Sequence, residues 1–179
     1  MIVDPYEELA RSYRLYCKLY GGWTALFTSP YFHAALLLTA ALYPVWNGDD
    51  GAKIWAAAAQ NILPNLMGFS IAGMAVFLAF SHPETMNAIT EDGEPESYFV
   101  TTVAGFFHFI FVQTIAMMLG FVGAFVTSNY LSAFGVFFLS YAMLVGLAMA
   151  MNLLHTAQII NAASSIRRRD DGGKNSNRK

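Results

Sequence analysis

Amide and imidazole side chains set inside long apolar runs are the residues of this sequence with chemistry to offer. The stretch AAAAQNILPNLMGFSIAGMAVFLAF, residues 56–80, carries no charge, yet Gln60, Asn61, Pro64 and Asn65 fall in its first half. On a helix, Gln60, Pro64 and Gly68 follow one i+4 row and Asn61 and Asn65 the adjacent one, so all five share a face. Pro64 removes the hydrogen bond to the carbonyl of Gln60, and hydrocarbon supplies no substitute partner. Such a face has two uses: bonding to another helix, or lining a pore or cavity. His108 and Gln113, inside a later apolar run, join Gln60, Asn61, Pro64 and Asn65 as candidate lining residues.

The four histidines, His33, His82, His108 and His155, raise the question of a metal, a haem or a proton path. Haem ligation needs paired histidines at one depth on facing helices. His108 and His155 would differ in depth by about 7–8 Å at 1.5 Å per residue. Zinc would call for Cys, Asp or Glu beside His at short spacing, and none lies in the apolar runs. No cofactor and no metal is therefore expected, and His108 is read as a hydrogen-bonded or titratable residue within the membrane. A phosphate-cradling glycine loop, an HExxH motif, a nucleophile elbow and a pair of intramembrane carboxylates are all missing from the sequence, so no enzyme is expected.

Small residues and a further polar row mark contacts between helices. Gly105, Gly120 and Gly123 in one run, and Gly135, Gly146 and Ala150 in the next, would let backbones approach closely, as helix packing or as an oligomer interface. Asn152, His155 and Gln158 succeed each other at i+3 on a different side, forming a cytoplasmic polar cluster.

The elements that must position these residues follow from composition. Only 12% of the 179 residues are charged and mean hydropathy is +0.43, against roughly 25% charged in soluble domains. Residues 54–83 and 97–166 contain no Asp, Glu, Lys or Arg. Four apolar segments, about 26–46, 54–81, 98–128 and 131–160, are each at or above the roughly 20 residues needed to cross a bilayer core. Trp23, Tyr31, Tyr43, Trp46, Trp55, Tyr98 and Tyr130 stand at their ends as an interfacial belt. The fold expected is an all-α integral membrane protein of four transmembrane helices. Arg11, Arg14 and Lys18 precede the first segment and six basic residues follow the last, which places both termini in the cytoplasm.

Residues 1–25 read as an N-terminal amphipathic segment. Leu9, Tyr13, Tyr16 and Tyr20 recur at helical spacing, as in a helix lying at the interface or packed on a neighbouring subunit. The segment lacks the apolar core of a signal peptide, so the spans themselves are expected to direct insertion. Residues 161–179 form a basic polar tail expected to be disordered. The function expected is an oligomeric channel or pore for ions or small polar solutes, in a bacterial inner membrane. The alternative is a membrane anchor or scaffold, as in a bacterial defence or signalling complex, recruiting a soluble cytoplasmic protein through Glu91, Asp92, Glu94 and Glu96 or through the basic tail. The partners expected are thus the lipid bilayer, further copies of the chain and that soluble protein, with no nucleic acid.

Overall fold

The computed structural model describes residues 4–48, 50–79, 89–90 and 93–176, with side chains up to 162. His82, Glu84, Glu91 and Asp92 lie outside the described residues. Every principal element is a helix: α1 (Pro5–Tyr20), α2 (Gly22–Thr28), α3 (Pro30–Ala41), α4 (Tyr43–Trp46), α5 (Gly51–Ala79), α6 (Tyr98–Gly123) and α7 (Asn129–Ser176). Among the described residues, three helices are long and apolar enough to cross a membrane, over Lys53–Ala79, Tyr98–Gly123 and Asn129–Ala162. In the tail that composition marks for disorder, the backbone is helical through Ser176.

The first apolar stretch, 26–46, is not one helix. Proline disfavours helical backbone at the residue before it, and Ser29, ahead of Pro30, is extended with φ −65° and ψ 127°. The stretch breaks there and again at Leu42, beside Pro44, into α2, α3 and α4. Its longest piece, the 12-residue α3, covers about 18 Å. That is short of the roughly 30 Å of a bilayer core, so α3 by itself does not span it, and the described residues hold three helices of spanning length where four spans were expected. Trp46 partly mends the second break by donating from its indole Nε1 to the carbonyl of Thr39 at 2.8 Å.

Helix α1 is built by local rules. Asp4 caps it by accepting from the amide of Tyr6 at 3.0 Å, Pro5 opens it, and Glu7 and Glu8 stand in its first turn with Lys18 in its last, matching the helix dipole at both ends. Gly21 closes it at φ 89°, a left-handed cap that glycine adopts without strain. Tyr6, Leu9, Arg11 and Arg14 are exposed, while Tyr16 and Tyr20 turn toward the bundle. The helix therefore packs one face on its own chain, against α6.

Helices α5, α6 and α7 form the core. From α5 come Trp55, Ala59, Leu63, Ser70 and Phe77, a helical stripe at steps of four and seven. Opposite lie Phe106, Phe109, Val112 and Ala116 of α6 and Val136, Tyr141, Val145 and Met149 of α7. The join between α6 and α7 is residues 124–128, short enough to hold them as an antiparallel hairpin. Close approach rests on glycine. A Cβ at Gly120 would stand 2.9 Å from that of Ala59, and one at Gly146 would stand 2.7 Å from the ring of Phe109. Gly123 and Gly135 flank the indole of Trp55 so tightly that a Cβ on either would overlap it.

Candidate functional site

The small positions thus face partners within the same chain. Gly105 lies against the sulfur of Met149, joining α6 to α7 as Gly146 does from the other side. Ala150 is exposed.

The polar positions separate into distinct places. On α5, Gln60 is half-buried and donates from Nε2 to the carbonyl of Gly120 at 3.3 Å. Asn61, Pro64, Asn65 and Gly68 lie on the exposed side. Asn65 donates to the Asn61 carbonyl of its own helix at 3.1 Å, and no atom comes within 4 Å of where a Gly68 side chain would begin. Gln113, wholly buried, points at α5. Its Nε2 donates to the hydroxyl of Ser70 at 2.9 Å, Ser70 donates to the carbonyl of Leu66 at 2.6 Å, and the Gln113 Oε1 has no partner among the described residues. Near the other end of the bundle, Tyr98 bonds the carbonyl of Asn152 at 3.1 Å and the hydroxyl of Thr156 at 3.0 Å. His155 and Gln158 are exposed, so the row Asn152, His155, Gln158 does not act as one cluster.

His108 is buried at 4% exposure on the row Ala104, His108, Val112, Ala116, whose small neighbours leave room for rings. Its Nδ1 bonds the hydroxyl of Tyr16 from α1, and its Nε2 lies 3.0 Å from the hydroxyl of Tyr141 on α7. Tyr20 stacks on the imidazole with centroids 3.9 Å apart. Burial, then the neighbouring Tyr20, pushes the Tyr16 phenol above its ordinary value, and burial raises Tyr20 too. Both phenols remain protonated at neutral pH and serve as O–H donors. Tyr16 and Tyr20 are visible in the sequence only as members of an amphipathic stripe. Tyr141, a phenol alone in the middle of an apolar run, is the signal that could have drawn attention to this site, because buried tyrosine hydroxyls seek partners.

The acidic residue Glu96, just before α6, pairs with Lys18 at 3.3 Å. Both side chains are mostly exposed, and such pairs contribute little. Lys18→Ala is accordingly expected to leave the melting temperature in detergent unchanged, at low and at high salt. Among the described residues, no three His, Cys, Asp or Glu side chains gather as metal ligands. The chain matches no protein-family model, no curated protein and no solved structure. Its class, an all-helical chain with three helices apt to cross a membrane, is what fold and composition define.

Proposed function

We propose that this chain is a multi-pass membrane protein that assembles with copies of itself and lines a path for ions or small polar solutes with the outward face of α5. The observation that carries the reading is the exposure of Asn61, Pro64, Asn65 and Gly68 on a helix apt to cross a membrane. Asn65 sits near the middle of that helix, at the depth where water is scarcest. Asn65 bonds its own helix through one amide hydrogen, and polar atoms left facing hydrocarbon cost several kcal/mol, so in this reading protein or water covers the face. An oligomer with α5 turned to an axial or intersubunit opening supplies both. Uncharged amides there suit weak selectivity. His108 and Gln113 are buried within the protomer and fall outside this lining, as does Gln60 through its bond to Gly120.

In this reading α3 and α4 together complete a fourth, broken crossing, and both termini share the cytoplasmic side. The Lys18 to Glu96 contact supports that arrangement, since it sets the end of α1 beside the segment before α6. Reporters fused at Met1 and Lys179 should then give one cytoplasmic signal, and one inserted at Asp49 the opposite. Different signals at the two ends would remove the fourth crossing. The function itself is tested by reconstitution into liposomes: flux of a small polar solute above that of empty vesicles, from a species larger than one chain, is the expected result. A monomer without flux would reject it.

A further inference from the structure

Between α1, α2, α3, α6 and α7 lies an apolar cavity of about 180 Å³, walled by rings that include Tyr16, Tyr20, Phe32, His108, Phe137 and Tyr141. It opens beside Tyr13, Trp23 and Phe111, which line it and are exposed. A dry apolar cavity of about 150 Å³ holds a benzene ring, so this one suits a single ring with a small substituent. No charged side chain lines it, so it offers a bound ion no counter-charge.

The hydroxyls at its wall decide the remaining chemistry by counting hydrogens. Tyr16, neutral His108 and Tyr141 carry one polar hydrogen each and make two mutual hydrogen bonds. If the imidazole proton is on Nε2, Tyr16 donates to Nδ1, Nε2 donates to Tyr141, and the Tyr141 hydrogen is left over. If the proton is on Nδ1, the Tyr16 hydrogen is left over. Either tautomer leaves one phenolic O–H without a role inside the triad, on a residue lining the cavity. Where Tyr141 passes its hydrogen to the adjacent Tyr20 hydroxyl, Tyr20 holds the surplus instead, and it too lines the cavity.

The geometry points to a binding site for an uncharged, lipid-soluble molecule with a benzene-sized ring and a carbonyl-type hydrogen-bond acceptor, seated against the Tyr16–His108–Tyr141 triad. This site is separate from the α5 face and does not depend on its function.

The test uses two probes of similar size, 4-fluoroacetophenone and 4-fluorotoluene, titrated against the full-length protein in detergent and followed by fluorine NMR. Saturable binding is expected for both, with the ketone tighter by about three- to tenfold, the effect of one net hydrogen bond. Filling the cavity with Leu26→Trp and Ile115→Phe together should abolish saturable binding and leave only partition into the micelle. Removing the donors of the triad and of Tyr20 together, Tyr16→Phe, Tyr20→Phe, Tyr141→Phe and His108→Leu, should bring the two affinities together. Equal affinities in the unaltered protein would overturn recognition of an acceptor, and saturable binding that survives the filled cavity would overturn the location. Should that fourfold variant fail to fold, the two-probe comparison and the filled cavity still decide.

Discussion

Gly135→Leu should strongly destabilise the bundle while leaving membrane insertion intact. Trp55 of α5 is 3% exposed and lies between Gly123 at the end of α6 and Gly135 in the first turns of α7. The indole is rigid and enclosed, so it cannot bend away as the tip of a flexible side chain would. Overpacking a close-packed site costs typically about 1–3 kcal/mol, and a leucine driven into a trapped ring belongs at or above the top of that range. Leucine is favourable in lipid, so the loss should show as a lowered melting temperature in detergent with normal membrane yield. Gly135→Ala should cost less, and combining it with Trp55→Ala should cost less than the sum of the two single changes, because the clash exists only while both groups are present. Gly68→Leu is the control, since nothing in the protomer lies within 4 Å of that position. A Gly135→Leu protein that melts with the parent would show that Trp55 is not held between these helices.

The second large effect belongs to the exposed amides of α5. With Asn61→Leu and Asn65→Leu combined, flux through reconstituted protein should fall about tenfold or more, because a constriction stripped of hydrogen-bonding groups dewets. The melting temperature of the protomer should hold, since the bond Asn65 makes among the described residues is to a carbonyl of its own helix and leucine is tolerated by lipid. If these amides instead bond one subunit to the next, the same variant should lose its oligomer, at roughly 0.6–2 kcal/mol per bond, and flux would disappear with assembly. The oligomer profile measured alongside flux separates the two. A stable, assembled double variant with unaltered flux would remove α5 from the lining.

Much of the architecture is local and therefore legible in the chain. Hydrogen bonds inside a helix join residues four apart, so long apolar runs, Asp4 and Pro5 at a start, and Gly21 at an end determine helices with little help from the rest of the molecule. Pro30 belongs to the same local class, and the break it makes in residues 26–46 was marked in the sequence even though the length of the apolar run suggested one span. Tertiary structure decided what covers each face. The periodicity of Gly123, Gly135 and Gly146 declares a close neighbour but does not distinguish a helix of the same chain from one of another copy; Trp55 and Phe109 are the neighbours found. His108 finds Tyr16 at a separation of 92 residues and Tyr141 at 33, and no helical period relates them. Whether an amide faces its own core, as Gln113 does, or the outside, as Asn65 does, depends on the rotation of each helix about its axis, which is set by side chains packing across the bundle and not by residues adjacent along it.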